Sequence, residues 1–486
     1  MYKKLISFFS KTQLRGGILI QVIAFMTIGI IITSGFVKWS TLTVRSARQS
    51  EYREQAIEIA EAGVDYYRWH LAHAPSDFQD GTGGPGPYVH DFFDKTGTKL
   101  GTFTLTITPP PLGSTLVTVQ SKGTSLVGTT TSRTLLVKFA KPSLARYAGV
   151  LNADVQFGAG TEFWGPLHSN GGIAFFGIAH NLVTSAMTTW TSVAYGVNTW
   201  GVHTYIAPDV QPPTAMPNLP TTFIAGRQIS VPVVDFAGLS ANMAQIKTDA
   251  QANGRYYAAS GGLGYHIVLK TSDAFDIYRV NTYVTTPPGC QQKDPFNSCN
   301  NLTNSLWSIG TQTLLFSNVA FPANGLIFAE DHVWVDGQIN TARLTIAAGA
   351  FPDSPPTRKN IIVNSNLLYT NYDGQDTLAL MAQNSVLIGI KSANSLRIDA
   401  ALVAQNGRLV RQFYNAACGT EYMRSDVTFY GMFASNQRYA MYVSCGGPNS
   451  GYPTRTFIYD PNLLYSPPPS FPLTTSQYQV VSWDEI

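Results

Sequence analysis

The strongest constraint in this sequence is an uncharged apolar segment close to its N-terminus. From residue 17 to residue 37 the chain reads GILIQVIAFMTIGIIITSGFV, without one Asp, Glu, Lys, Arg or His side chain. About 20 such residues in a helix span the hydrocarbon core of a bilayer. The segment therefore predicts a transmembrane helix, and the lipid bilayer is its first expected partner.

Basic residues are denser on the short side that precedes this segment. Four of them come before it: Lys3, Lys4, Lys11 and Arg15. Because positively charged flanks stay in the cytoplasm, we expect a single-pass protein of the cell membrane with a cytoplasmic N-terminus and an extracytoplasmic body. A cleaved secretory signal is the alternative, but its apolar region is usually shorter.

The helical pattern continues beyond the apolar segment. Residues 38–74 contain no proline and are rich in Ala, Glu, Gln and Arg, which are strong helix formers. Small and apolar side chains recur there at three- and four-residue intervals and form one stripe: Ala56, Ile59, Ala60, Gly63, Val64 and Tyr67. The sequence predicts one helix from residue 17 to about residue 73, with a stripe suited to packing.

Two elements of this region resemble a known family. The basic leader that ends in Arg15-Gly16-Gly17, followed at once by an apolar helix, resembles the type IV prepilin signature. The stretch AIEIAEAGVD at 56–65 resembles the AxxxAEAGxE/D element of PilX-type minor pilins and related pseudopilins. The resemblance covers roughly residues 1–75 and implies that prepilin peptidase cleaves between Gly16 and Gly17.

The resemblance also implies packing against other pilin-like subunits through the helix. The residues that it assigns to helix packing are Gln21, Ala56, Ala60 and Gly63. Gln21 stands where most pilins carry a glutamate. A plain signal anchor followed by a stalk helix is the alternative interpretation.

Beyond the helix the composition favours strands. Only 13% of the residues are charged, and Pro75 and the Gly/Pro run at 81–87 end the helix. Alternating apolar residues at 101–109, 114–123 and 132–140 predict a small antiparallel sheet, where the resemblance implies the strands of a pilin.

After residue 141 the pattern changes to short apolar stripes with Asn, Gly or Asp corners. Such stripes can stack coil on coil, so we predict a parallel β-solenoid-like body, with a β-sandwich as the alternative. Helical spacing at 235–254 predicts one helix that covers or plugs the solenoid. The fold class is thus mainly β with a long N-terminal α-helix.

The predicted domains follow from these boundaries: a basic leader 1–16, a transmembrane and extended helix 17–75, a small β domain 76–141, a solenoid-like domain 142–456 with an insertion 181–262, and an aromatic C-terminal strap 457–486.

The four cysteines predict disulfide bonds outside the membrane. Spacing along the chain suggests pairing of Cys290 with Cys299 and of Cys418 with Cys445. Neither pair has the CxxC spacing of a zinc site, and disulfides imply an oxidising compartment. Four unpaired buried thiols are the alternative.

No catalytic, cofactor-binding or metal-binding residues are predicted. The histidines are dispersed, and HSNGG at 168–172 is typical of a corner. The carboxylates of Glu330, Asp331 and Asp336 could meet on one solenoid turn, as in enzymes that cleave polysaccharides, but acids at corners usually form turns. The net charge of +3 is scattered, so no nucleic acid partner is expected.

Aromatic residues are concentrated in and near the insertion: Trp164, Trp190, Tyr195, Trp200 and Tyr205. Exposed rings could bind a glycan or another surface ligand, whereas buried rings would only pack. The sequence predicts a minor-pilin-like, non-enzymatic component of a type IV pilus or related secretion filament, acting in pilus assembly, adhesion or surface display. A membrane-anchored β-helix lyase or hydrolase acting on polysaccharide is the alternative.

Overall fold

The computed structural model describes residues 17–111, 114–126, 131–192, 196–236, 238–302, 305–475 and 477–486, with the backbone alone for 238–242. The described chain divides into two compact units. The first contains the residues up to Thr108, Val119–Val137 and Ser482–Ile486, and the second contains Pro109–Thr118 and Lys138–Val481.

One helix, Gly17–His73, is the main element of the first unit. It has 57 residues and is therefore about 85 Å long. The prediction of a helix from residue 17 to about residue 73 is confirmed. The helix ends just before Pro75, which can neither donate a backbone hydrogen bond nor fit inside a helix.

A five-stranded sheet packs on the C-terminal part of this helix. In spatial order its strands are Tyr88–Phe93, Lys99–Thr108, Val117–Ser125, Ser132–Ala140 and Gln479–Glu485. The first two pair antiparallel, and the connections between the first four are too short for parallel crossovers. The predicted small antiparallel sheet is confirmed; the strands at its two edges were not predicted.

The last strand shows that the body is an insertion into this sheet. Gln479–Glu485 pairs with Ser132–Ala140, and the Ile486 amide donates to the Thr134 carbonyl at 3.0 Å. Nearly the whole second unit therefore lies, in sequence, between two neighbouring strands. The prediction of residues 457–486 as a strap along the body is wrong for this final strand.

The second unit consists mainly of parallel strands stacked coil on coil. Sandwiches are built from antiparallel sheets, so the parallel ladders confirm the solenoid-like prediction against that alternative. We call the three ladders face 1, face 2 and face 3.

In stacking order, face 1 contains Arg255–Tyr257, Leu326–Ala329, Arg343–Ala348, Thr377–Ala382, the ends of Ser395–Ala404 and Asp426–Ser435, Gly149–Leu151, Leu167–Ser169, Val183–Ser185 and Arg227–Gln228. Face 2 contains Gly264–Lys270, Val333–Ile339, Ile361–Ile362, Val386–Ile388 and Leu409–Arg411, with a second ladder of Val155–Phe157, Ile173–Phe175 and Val202–His203. Face 3 contains the end of Val333–Ile339, Leu367–Tyr369, Ser395–Ala404, Asp426–Ser435, Thr454–Tyr459, Thr161–Trp164 and Ile178–Ala179.

The chain enters the solenoid in the middle of the stack. Gly149–Leu151, the first solenoid strand, pairs with Phe433–Ser435 near the end of the chain. The coils then run outward to residue 228, and the chain begins again at the opposite end at Arg255. Entry and exit therefore lie side by side, as an insertion between two paired strands requires.

Alternation along each strand builds the core. Phe163, Phe429 and Phe457 point inward from face 3 and stack, with ring centroids 4.9 Å apart along the ladder. The predicted helix in the insertion is Gly238–Asn253, and its Met243 and Ile246 are buried against the outer side of face 1. This cover helix shields the small outward residues of that face.

The remaining strands of the second unit are antiparallel or short. They are Ala274–Tyr283 and Ile309–Ala320, which extend from Gly264–Lys270, together with Thr189–Thr191, Asn198–Trp200, Gln292–Asp294, Asn300–Asn301, Phe413–Tyr414, Tyr442–Val443 and Ser450–Gly451. One short helix, Asn462–Tyr465, and single 3₁₀ turns complete the described fold: Leu144–Arg146, Pro355–Thr357, Ala416–Cys418 and Thr420–Tyr422.

Both disulfides form, but not between neighbours in sequence. Cys290 bonds to Cys418 and Cys299 bonds to Cys445. The predicted pairing is wrong because Gln292–Asp294, between the first two cysteines, pairs with Phe413–Tyr414. This strand pairing places the loop between Cys290 and Cys299 beside the part of the chain that contains Cys418 and Cys445.

Candidate functional site

The N-terminal part of the helix is bare. Every residue from Gly17 to Glu51 is exposed, and this is the one described helix long and apolar enough to cross a membrane. The most apolar 18-residue segment of this helix has a mean hydropathy of 2.2, and none of its residues is buried. Apolar side chains fully exposed on a helix of this length need lipid or other helices around them.

The predicted processing site lies at the start of this helix. Gly17 is its first residue, and Gln21 is exposed one turn later. Gly16 lies outside the described residues, so cleavage before Gly17 stays a prediction.

The small-residue stripe of the helix packs on the chain's own sheet. Ala56 and Ala60 are completely buried, and a Cβ on Gly63 would lie 2.4 Å from the Ser121 hydroxyl oxygen. The sequence assigned these residues to packing between subunits. That assignment is corrected, because the sheet of the same chain already occupies the surface that they form.

Two glycines that sequence reasoning missed make this contact possible. A Cβ on Gly123 would lie 2.1 Å from the Ala56 carbonyl oxygen, and one on Gly101 would lie 2.6 Å from the Ile59 side chain. A glycine inside a strand pattern signals a close approach of another backbone, and both glycines lie in predicted strands. That signal was available in the sequence.

An aspartate in the following loop fixes the end of the helix. The Asp77 carboxylate lies 3.1 Å from His70 Nε2, and the Tyr67 hydroxyl donates to the Asp77 carbonyl at 3.1 Å. Hydrogen bonds from the backbone, led by the Gln79 amide, lower the pKa of Asp77. The loop is thus bound to the helix by an ionised carboxylate.

Glu330, one of the candidate carboxylates, binds the cover helix. It forms an ion pair with Lys247 of that helix and accepts a hydrogen bond from the Tyr256 hydroxyl at 2.7 Å. Burial alone would raise the pKa of Glu330, but these two hydrogen bonds outweigh it and lower that pKa. Its contacts are those of a structural anchor.

The other two carboxylates have partners of their own. Asp331 accepts hydrogen bonds from the Ser260 amide and hydroxyl at 3.0 and 2.7 Å and faces Lys359 at 3.3 Å. Asp336 lies 3.0 Å from His266 Nε2. Each of the three acids therefore has ion-pair or hydrogen-bond partners of its own.

The HSNGG segment forms a corner. Asn170 binds both backbone groups of Val234, with its Oδ1 and Nδ2 each at 2.8 Å. His168 is buried between Thr184 and Asn170 at 2.9 and 3.0 Å. These contacts hold the segment that leads into the cover helix.

Of two further histidines, His203 is buried and His332 is half-buried, and neither has an acidic partner at hydrogen-bond distance among its described contacts. His203 Nδ1 accepts a hydrogen bond from Trp190 Nε1 at 3.3 Å, and His332 Nδ1 accepts one from the Asn360 amide at 2.9 Å. Burial lowers the pKa of each imidazole to about 4. Both rings are therefore neutral in the folded protein at pH 7.

The second unit is expected to lose stability as the pH falls from about 6.5 towards 4. Histidine in an unfolded chain has a pKa near 6.5. As the pH falls below this value, His203 and His332 therefore bind protons in the unfolded chain but not in the folded protein. Above about pH 6.5 the two histidines do not lower the stability. Below that pH, each of them lowers the free energy of unfolding by about 1.4 kcal/mol per pH unit, until the pH reaches its pKa in the folded protein. Urea denaturation at pH 7.5 and pH 5 measures this loss.

The matched variant for this prediction is His332→Gln, whose amide oxygen can still accept the Asn360 hydrogen bond. We expect a smaller loss of stability between pH 7.5 and pH 5 than in the parent chain, with the remainder due to His203 and His168, whose pKa values burial also lowers. An unchanged slope in the variant would contradict the assignment to His332.

The aromatic residues near the insertion divide into two environments. Trp190 packs over Gly172, where a Cβ would lie 2.1 Å from its ring, and donates to His203. Trp164 is instead 45% exposed and stacks on His180, with ring centroids 3.3 Å apart. Tyr195 lies outside the described residues. Sequence reasoning named Trp164 but could not separate it from the buried rings.

Among the described residues, no group of three or more His, Cys, Asp or Glu side chains could hold a metal ion.

The comparisons with known proteins show a likeness to a solved structure. No protein-family model matches the chain, and no curated protein matches it. Among solved structures, the crystal structure of the competence-associated pilin ComZ from Thermus thermophilus matches 90% of this chain and 98% of that chain, at 13% identity and a TM-score of 0.30. A TM-score of this size supports no conclusion about the function of this chain. The long apolar helix is compatible with a membrane-anchored, pilin-like protein.

Proposed function

We propose that this protein is a membrane-anchored, minor-pilin-like subunit of a type IV pilus or related filament, which displays its solenoid outside the cell. One observation carries the proposal: the helix is continuous, but only its C-terminal part is covered by the chain itself. The displayed solenoid acts in binding or assembly, and its candidate acids serve as structural anchors.

The length of the bare helix favours assembly over simple anchoring. From Gly17 to Glu51 it measures about 50 Å at 1.5 Å per residue, whereas a bilayer core is about 30 Å thick. About 20 Å of uncovered helix is left between the lipid and the sheet. Trp39, Leu42 and Val44 are exposed within that stretch, where neighbouring helices would bury them.

A charge in this stretch is expected to reduce incorporation into filaments. Leu42→Arg places a cation on the surface that would face neighbouring helices, and burying an unpaired charge is costly. We expect the amount of protein in sheared filaments to fall several-fold, while the amount in the membrane fraction stays unchanged. Immunoblots of the two fractions measure both.

Leu126→Arg is the matched control, since Leu126 is 52% exposed in the first unit and lies away from the bare helix. It should enter filaments like the parent chain. Equal incorporation of the Leu42 variant would contradict assembly through this helix. Mass spectrometry of the same preparations reads the mature N-terminus, and a chain that still starts at Met1 would contradict prepilin processing.

A further inference from the structure

The N-terminal helix carries exposed carboxylates on the side that faces away from its sheet. We call them the acidic row, and its members are Glu54, Glu58 and Glu61. At about 100° per residue, the row lies about 150° around the helix from the stripe that packs on the sheet. Glu51 and Asp65 extend it at the two ends, where Arg48 and Arg68 are three positions away. The sheet of the same chain leaves the whole row uncovered.

The acidic row has no cation of its own. Like charges three and four positions apart on a helix repel each other, and the three glutamates have this spacing. In the described part of the first unit, the ion pairs are His70 with Asp77, His90 with Asp80, Lys99 with Asp91 and Arg133 with Glu485. Arg53 is close in sequence but points about 110° away from the row. An external cation would therefore stabilise this surface.

The bare part of the same helix carries the opposite charge. Residues 38–50 contain basic side chains and no acidic one. Arg45 and Arg48, which we call the basic surface, are exposed and lie about 140° around the helix from the acidic row. Leu42 lies about a quarter-turn from them, so the basic surface is separate from this apolar contact. One helix thus bears two complementary surfaces, on different sides and at different heights.

The two surfaces cannot meet within one chain. Along a straight helix their centres are about 17 Å apart at 1.5 Å per residue. Exposed charges are largely screened beyond about 8 Å at physiological salt. A second copy that lies parallel, displaced by about 17 Å towards the C-terminal end, brings its basic surface level with the row. Its Arg45 then lies at a height between Glu54 and Glu58.

A contact of this kind can repeat. The acidic row of one copy meets the basic surface of a second copy, whose own row stays free for a third. Contacts between unlike surfaces build open helical assemblies when they do not close into a ring, and the axial displacement prevents closure. Two helices in one flat bilayer stand at the same height, so the contact requires one helix to move about 17 Å out of the lipid. The complementary charges thus favour a filament over pairing within the membrane.

We propose that the acidic row docks the basic surface of a second copy of this chain, and that this contact sets the displacement between neighbouring copies in the filament. The row calls for a cationic partner, and the chain presents a matching one on an uncovered part of the same helix. The proposal rests on the proposed function and adds to it the partner, the contacting residues and the displacement.

Carbodiimide coupling in sheared filaments tests the contact directly. Arg45→Lys keeps the charge and supplies an amine, which carbodiimide joins to a carboxylate that touches it. Within one helix, position 45 is about 13 Å from position 54 and about 20 Å from position 58, so a direct link to either glutamate can form only between copies. Mass spectrometry should find these links in filaments and not in the membrane fraction. Lys95, an exposed amine of the first unit, should not link to the row.

Charge exchange supplies a second measurement. Arg45→Glu and Glu58→Arg should each lower the amount of protein in filaments several-fold, because like charges then face each other across the contact. The double variant restores opposite charges between copies and should recover most of that amount. Lys95→Glu is the matched control for a change of charge and should enter filaments like the parent chain.

The outcomes separate this contact from the proposed function. The contact is overturned if filaments contain the chain but no link joins the new amine to Glu54 or Glu58, or if the double variant enters filaments no better than the single variants. Links from the new amine to another protein would overturn the second copy as the partner. Absence of the parent chain from filaments would contradict the proposed function itself, and this contact with it.

Discussion

Gly123→Val is expected to separate the N-terminal helix from the sheet of the first unit, with a loss of about 3 kcal/mol or more in the stability of that contact. A Cβ at this position would lie 2.1 Å from the Ala56 carbonyl oxygen and 2.5 Å from the Ala60 amide nitrogen. Both atoms belong to the helix backbone, so no side-chain rotation relieves the clash. The strand and the helix must move apart.

Hydrogen exchange of the full chain in detergent measures this effect. Amides of the helix from residue 56 to residue 71 should exchange much faster in the variant, because covered backbone is protected by the stability of the packing around it. Gly84→Ala is the control, since a Cβ there meets nothing closer than the Thr82 hydroxyl at 4.0 Å. Unchanged protection in the Gly123 variant would show that the helix does not rest on this strand.

The stripe of the helix shows what periodicity can and cannot predict. Spacing identified Ala56, Ala60 and Gly63 as residues on a buried face, and they are buried. It could not say what covers them, because a pattern along one helix carries no information about its partner. The covering strand contains Gly123, far along the chain, and one glycine in a strand pattern is a weak signal.

The sequence predicted that the second unit is a solenoid, but it did not predict the order in which the coils stack. Short apolar stripes with polar corners indicated stacking, which needs no exact repeat. The pairing of Gly149–Leu151 with Phe433–Ser435 joins distant parts of the chain, and nothing local encodes it. The exposure of Trp164 could not be predicted either, because it depends on which coil lies next to it and on where the insertion folds.

Removing either disulfide is expected to cost about 2–5 kcal/mol of stability, the range for cross-links that close long loops. The bonded cysteines are 128 and 146 residues apart, and loop-closure entropy grows only with the logarithm of that separation. Cys290→Ser with Cys418→Ser, and Cys299→Ser with Cys445→Ser, should therefore lower the urea midpoint by similar amounts. A loop of about ten residues between sequence neighbours would contribute less.

Variants that lack a single cysteine distinguish the observed pairing from pairing between sequence neighbours. If Cys290 bonds to Cys418, then Cys290→Ser leaves the Cys418 thiol free for alkylation and the Cys299–Cys445 bond intact; pairing between sequence neighbours would free Cys299 instead. Trypsin cleaves after Lys293 and after Arg424, so each cysteine lies in its own peptide. Unreduced digests should join the Cys290 peptide to the Cys418 peptide. A Cys290–Cys299 link in native protein would contradict the strand pairing of Gln292–Asp294 with Phe413–Tyr414, because that pairing is what brings the distant cysteines together.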